Sequence, residues 1–374
     1  MPFTQEADAT GDDWPRYFNK TLVTMIRPEM LQTKVPLLRS DVSATFDRLA
    51  AQSASASAPE WCVTDAFDTI YHLLFQLLSR IVGATEVSED IHLARKMLSV
   101  FEKFESSNST TGIIFPWLRV FTPSYILRMV LGTVLYINFN RIINERKRTG
   151  RREDDALQYL LDQDTKLDVI IKFQISAVWA ALLTTGANGT WLLVLLASNP
   201  TWQARCRTEL NHALSKHRTR PAQSATDVLD SLTLEDWESS FPVLDACLRE
   251  TMRVAMPGAV FRQNTSGGDI PLGTTGEVVP DGSFATFLVD DVHMDPEYYP
   301  DPERFDPGRF LERGRGKKGL EITLIVAYFM ARFDFELSDK QGNPSKEMPQ
   351  LPGRNEHTAK KSKVPVYLRY KPRV

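Results

Sequence analysis

The stretch from residue 248 to residue 310 constrains the fold most, because two of its parts are expected to meet in space. It opens with a helical run, LRETMRV, in which Glu250 and Arg253 lie three residues apart and share one helix face. It closes with DPERFDPGRF, a Pro- and Asp-rich run that cannot form a regular helix. We expect a pinned coil that brings Arg309 to the Glu250 carboxylate as a second guanidinium. Each part alone is typical of an ordinary surface ion pair or loop; their order, around a Gly/Pro-rich strand region, is more specific.

Together these parts resemble the cytochrome P-450 family of haem-thiolate monooxygenases. LRETMR is similar to the Glu-x-x-Arg helix of that family, and PGRF at 307–310 is similar to its Pro-Glu-Arg-Phe coil. The resemblance implies a mainly α fold with a small β region, with Glu250, Arg253 and Arg309 as its structural triad. It also implies haem b as cofactor, an apolar small-molecule substrate, and an NADPH-dependent reductase that supplies electrons. The implied reaction is a monooxygenation in secondary-metabolite or lipid and sterol metabolism.

One part of the family pattern is missing after the coil. The family has a Phe-x-x-Gly-x-Arg-x-Cys-x-Gly loop there, and the thiolate of its cysteine binds the iron. Here LERGRGKKG at 311–319 leads directly into the helical run LEITLIVAY, and no cysteine follows Cys247. The resemblance therefore implies an incomplete cytochrome P-450 fold, and we predict that the chain as written is inactive. Two explanations stay open: an enzyme whose loop was lost through a skipped exon or a wrongly placed intron, and a non-catalytic remnant or binding protein.

The longest helical pattern, Leu167–Ser198, resembles the long helix that crosses the whole domain in this family. Counting back from Asn199-Pro200 places the family motif Ala-Gly-x-Asp/Glu-Thr-Thr on AALLTT, residues 180–185. The resemblance then implies Thr184 and Thr185 as catalytic residues, since a Thr hydroxyl can bend the helix and hold a proton-delivering water. Leu183 replaces the usual acid. A second register, with Gly186, Asn188 and Thr190, changes the distance to Pro200, and a third interpretation is that the threonines only bond back to carbonyls.

Other single residues carry weaker signals. Arg262 follows Arg253 by nine residues, where the resemblance implies an arginine that pairs with a haem propionate; a strand-edge charge explains it equally well. Three cysteines, all predicted in helical context, indicate a reducing compartment without a disulfide framework, and their spacing fits no metal site. The formal net charge of −3 argues against nucleic acid as a partner.

The sequence indicates one domain over residues 1–374. It has neither a signal peptide at its polar start nor about 18 uninterrupted apolar residues, so we expect no membrane anchor in this chain and a cytoplasmic location as written. The resemblance implies that full-length relatives are anchored to the endoplasmic reticulum membrane and that this chain is truncated at its N-terminus. The predicted parts are a tail (1–13), a helical part (14–257) with the long helix, a strand-rich region with the coil (258–310), and a last helix with a C-terminal hairpin (311–374).

Overall fold

A computed structural model gives the fold of the chain. It describes residues 14–54, 60–107, 122–256, 258–274, 276–311, 319–353 and 361–373. The predicted polar tail and the basic run that follows the coil lie outside the described residues. In the described part the chain is mainly helical with small sheets, which confirms the predicted fold class.

The first half of the described chain is helical apart from one strand. The elements in chain order are α1 (Trp14–Met25), α2 (Pro28–Ser53), β1 (Cys62–Asp65), α3 (Ala66–Val82), α4 (Thr85–Glu89), α5 (Ile91–Ser106), α6 (Pro123–Thr149) and α7 (Ala156–Asp162). Pro28 starts α2, because a proline at the first helical position loses no hydrogen bond. Asp65 caps α3, since its carboxylate accepts from the backbone N–H groups of Phe67 and Asp68.

The second half is built around one long helix, which occupies the predicted range of 167–198. It consists of α8 (Leu167–Ala181), a π-helical turn (Leu182–Gly186) and α9 (Ala187–Ser198). The later elements are α10 (Pro200–His217), α11 (Ala225–Ser231), α12 (Leu234–Ser239), α13 (Pro242–Ala255), β2 (Ala259–Gln263), β3 (Ile270–Pro271), β4 (Val278–Val279), β5 (Phe284–Leu288), α14 (Val289–His293), α15 (Gly308–Leu311), α16 (Leu320–Arg332), β6 (Phe333–Ser338) and β7 (Tyr367–Pro372).

The C-terminal hairpin forms as predicted, but it is part of a larger sheet. Strands β6 and β7 pair antiparallel, and β1 pairs with the other edge of β7 in the order β1-β7-β6. Cys62 lies opposite Tyr370 in this sheet, so the prediction that all three cysteines lie in helices was wrong for Cys62. Strand β1, which contains Cys62, pairs with β7, about 300 residues later in the chain. The local periodicity of hydrophobic residues does not reveal such a distant partner. In the strand-rich region, β2 pairs with β5 and β3 pairs with β4.

The chain breaks between α12 and α13, which follow each other closely. Pro242 begins α13, and the residue before a proline is disfavoured in helical geometry, so the chain breaks there. The new helix start is capped from outside: the Glu209 carboxylate on α10 accepts from the backbone N–H of Val243 at 2.6 Å and of Leu244 at 3.0 Å. A negative charge at a helix start is favourable, so Glu209 fixes the direction of α13.

The central helix forms the middle of the core. Trp191 on α9 is fully buried, and α3 approaches α9 closely at a glycine. A Cβ atom on Gly189 would lie 2.8 Å from Leu74 Cδ1 of α3 and 3.3 Å from Ile322 Cγ1 of α16. By length and composition, Pro123–Thr149 and Leu167–Ser198 are apolar enough to cross a membrane, a test that the buried core helix of a soluble protein also passes.

A buried ionic cluster ties three helices together beside this core. The Arg146 guanidinium on α6 binds both carboxylate oxygens of Glu86 on α4, at 2.7 and 2.6 Å, and also binds Asp155, the cap of α7. The Asp155 side chain is fully buried. Burial raises the pKa of Asp155, but the hydrogen bonds and charge of Arg146 outweigh it and hold the pKa below its ordinary value. The cluster is stable only while the positive charge of Arg146 and the negative charge of Asp155 are both present.

Arg146→Met should therefore lower the free energy of unfolding by about 3–5 kcal/mol, because it leaves the Asp155 carboxylate buried without its cation. Arg148→Met on the same helix is the matched control, since Arg148 is exposed and its ion-pair partner Glu145 is exposed as well. The effect of Arg146→Met should shrink as the pH falls below 3.8, the ordinary pKa of Asp155, because a group with a depressed pKa stabilises the fold above that value. Equal thermal stability of both variants at pH 7 would contradict the assignment.

Candidate functional site

The Glu250–Arg253 pair lies on α13 and is completely enclosed. The Arg253 Nε atom donates to Glu250 Oε2 at 2.8 Å, and Nη2 donates to Oε1 at 2.7 Å. The two side chains are 0% and 1% exposed. Helical spacing places them on one face, and the planar guanidinium matches both carboxylate oxygens. The pair is thus a fixed bidentate unit within the fold.

The coil that follows residue 300 is bound to this unit. The backbone N–H of Asp306 donates to Glu250 Oε1 at 2.8 Å, and Arg309 Nε lies 3.6 Å from the same oxygen. The Arg309 guanidinium also donates to the carbonyl of Pro300 and, at 2.8 Å, to the carbonyl of Asp301. The structure therefore brings the three predicted triad residues together. Their charged side chains hold a coil whose backbone lacks the regular hydrogen-bond pattern of a helix or sheet.

The predicted catalytic threonines lie in the π-helical turn of the central helix. Thr184 is exposed, and its hydroxyl donates back to the Ala180 carbonyl at 3.1 Å; Thr185 is half-buried. In the second register, Thr190 is completely buried and its hydroxyl donates to the Gly186 carbonyl at 3.1 Å. Of the two registers, only the first presents a hydroxyl at the helix surface, which favours Thr184 as the accessible one.

Sequence reasoning missed what surrounds that turn. The Asn188 side chain donates to the Thr184 carbonyl at 2.7 Å and contacts Met256 Sδ at 2.8 Å. A Cβ atom on Gly186 would lie 2.7 Å from the Tyr71 ring of α3. The signal in the sequence was the closely spaced Gly and Asn after the threonines, but their partners come from other helices.

Arg262, the predicted propionate ligand, lies on the exposed strand β2. It is opposite Ala285 of β5, and its Nη1 donates to the carbonyl of Phe261 at 2.9 Å. Its role towards a cofactor stays a prediction.

The three cysteines are accounted for by other contacts. Cys206 on α10 and Cys247 on α13 are buried against each other, with their Sγ atoms 3.6 Å apart. The hydrogen bond with Cys206, together with burial, raises the pKa of the Cys247 thiol, so it resists forming a thiolate. Cys62 is on β1, in the sheet with β7. Among the described residues, no group of three or more His, Cys, Asp or Glu side chains is arranged to hold a metal ion.

The site thus combines a long central helix that contains a π turn with a buried Glu/Arg pair that fixes a Pro-rich coil, in a mainly helical fold. The sequence pattern of the Cytochrome P450 family matches residues 9–319, and the chain belongs to that family.

Similar proteins include fungal monooxygenases. The chain is 28% identical to the cytochrome P450 monooxygenase AacuE of Aspergillus aculeatus over 357 residues, which cover 88% of this chain and 69% of that protein. It is also 28% identical to the monooxygenase nsrP of Aspergillus novofumigatus, covering 88% of this chain and 66% of the relative. This chain thus spans about two thirds of the length of these relatives.

A solved structure supports the fold independently. The retinoic acid-bound cyanobacterial CYP120A1 superposes with a TM-score of 0.70 at 19% sequence identity, over 94% of this chain and 78% of that chain. At this identity the likeness concerns the fold alone.

Glu250→Gln tests the centre of the triad. The neutral amide leaves the Arg253 guanidinium buried without its counter-charge, so we expect a loss of about 3–5 kcal/mol in the free energy of unfolding. Glu238→Gln, at an exposed position of α12, is the control and should have little effect. The measurement is thermal unfolding followed by circular dichroism. If Glu250→Gln unfolds at the wild-type temperature, Glu250 does not hold the coil in place.

Proposed function

We propose that this fold is built for the haem-dependent oxidation of an apolar small molecule in secondary metabolism, and that the polypeptide of this sequence does not complete that site. The proposed oxidation chemistry rests on membership of the family and on the similarity to fungal monooxygenases. The claim that this polypeptide does not complete the site rests on one observation, namely the positions of the three cysteines. Haem would supply the oxygen chemistry, and an NADPH-dependent reductase would supply electrons to it.

The residues present do not fit a haem-thiolate centre. Cys206 and Cys247 contact each other inside the α10–α13 interface, and Cys62 is held in a sheet. The start of α16, which directly follows the segment where the family has its cysteine, is packed without a thiol. A Cβ atom on Gly319 would lie 3.5 Å from Leu248 Cδ2 and from Ile322 Cδ1. We therefore derive no reaction step through haem for this polypeptide.

A second candidate is an active monooxygenase made by a longer product of the same gene. Its support is that both sides of the junction between Gly319 and Leu320 keep the family's character: the coil is fixed by the triad before it, and α16 is a regular buried helix after it. The family pattern also ends at residue 319. Sequencing the transcript across residues 315–324 distinguishes the candidates. A restored Gly-rich segment with a cysteine favours the longer enzyme, and an unchanged junction favours the inactive chain.

The first experiment is an absorbance spectrum of the purified chain, mixed with haem, reduced and exposed to carbon monoxide. We expect no thiolate-type band from the chain as written. A variant with a loop of the pattern Phe-x-x-Gly-x-Arg-x-Cys-x-Gly inserted between Gly319 and Leu320 should gain that band, because the rest of the scaffold is in place. The same insertion with Ser instead of Cys should not.

Two outcomes would overturn the proposal. A thiolate-type band in the chain as written, lost in Cys247→Ser, would mean that Cys247 leaves Cys206 and reaches the iron. A folded insertion variant that takes up no haem would mean that the scaffold itself is unsuited to the cofactor. Circular dichroism of each variant separates this result from simple misfolding.

A further inference from the structure

The carbonyl of Thr184 is held in an unusual way. In a regular α-helix, the carbonyl of residue i accepts from the backbone N–H of residue i+4, and a π turn disturbs this ladder. Here the Thr184 carbonyl accepts from the backbone N–H of Ala187, and from the side chain of Asn188 at 2.7 Å. The side-chain amide of Asn188 thus bonds the Thr184 carbonyl. In a regular α-helix, that carbonyl would accept from the backbone N–H of Asn188.

Stability alone does not explain an asparagine at this position. Asn188 is 3% exposed, and its Oδ1 atom is buried with no hydrogen-bond partner among the residues that the structure describes. A buried acceptor without a donor costs free energy, which an apolar residue of similar size avoids. Exchanging Oδ1 and Nδ2 does not help, because Oδ1 would then face the Thr184 carbonyl. The amide is therefore oriented by that carbonyl, at the expense of its own oxygen.

The helix around Asn188 is held from the opposite side by close contacts at two glycines. A Cβ atom on Gly186 would lie 2.7 Å from Tyr71 Cε2, and one on Gly189 would lie 2.8 Å from Leu74 Cδ1. Tyr71 and Leu74 both belong to α3, three residues apart and on one face. These contacts fix where the central helix lies, but they make no hydrogen bond to its backbone. The Thr184 and Thr190 hydroxyls bond the carbonyls of Ala180 and Gly186, and Asn188 is the side chain that bonds the carbonyl of Thr184.

We propose that Asn188 is a positioning residue for Thr184. Its Nδ2–H group holds the Thr184 carbonyl so that the π turn persists and the Thr184 hydroxyl stays on the exposed side of the central helix. The functional meaning rests on the proposed function, an oxidation for which the sequence resemblance implies Thr184 as a catalytic residue. The structural part does not depend on haem, and it can be tested on the chain as written.

The test is hydrogen–deuterium exchange by mass spectrometry on purified wild-type protein, Asn188→Ala and Asn188→Ser. Both variants remove the amide, but a serine hydroxyl can donate back to the carbonyl four residues earlier. We expect the amides of residues 184–188 to exchange about five-fold faster in Asn188→Ala, the factor for one lost hydrogen bond of about 1 kcal/mol. Asn188→Ser should stay within about two-fold of wild type, since it restores the donor.

Asn138→Ala provides the matched control. Asn138 is also buried, and its Nδ2 donates to the Val134 carbonyl at 2.7 Å, but it lies in the continuous α-helix α6, where the backbone donor is kept. Its local exchange should change little.

Equal exchange of residues 184–188 in wild type and Asn188→Ala overturns the proposal. Equally fast exchange in Asn188→Ala and Asn188→Ser also overturns the proposal, because the faster exchange then results from altered packing and not from the lost hydrogen bond. A missing haem band in the insertion variant would count against the proposed function and would leave the exchange result intact.

Discussion

The buried carboxylate of Glu250 is the constraint on which the rest of the site depends. A fully enclosed charge is stable only if its partners satisfy it, and here they come from two parts of the chain. Arg253 supplies two hydrogen bonds from the same helix, while the Asp306 N–H and the Arg309 guanidinium come from the coil. Because the charge needs all of them, the coil cannot leave the helix without a large cost. An irregular segment is thereby given a fixed path.

The central helix depends on a different principle, which is close approach rather than charge. Gly186 and Gly189 let α3 and α16 come nearer than any residue with a side chain allows. The opposite side of the same helix is widened into a π turn, where Thr184 is exposed and Asn188 bonds to the backbone. One side is therefore fixed by packing, and the other keeps a hydroxyl accessible. Distortions of this kind in a helix are frequently found at functional sites.

The scaffold of the family is formed in the part of the chain that the structure describes. The triad, the central helix and α16 depend on contacts within the core, and all of them are formed. The only two cysteines near α13 are buried against each other, and the raised pKa of Cys247 keeps it a thiol. Membership of the family thus fixes the architecture of this chain.

The sequence by itself determined the features that depend on neighbours a few residues apart. It determined the central helix over 167–198, the last helix after residue 319 and the shared face of Glu250 and Arg253, because helical periodicity and i, i+3 spacing are local. Only the tertiary structure decided that Cys62 lies in a strand and that Glu209 caps the helix that begins at Pro242. These features arise from contacts between segments far apart in the chain. No local pattern encodes such contacts, and the fold selects them when the elements pack.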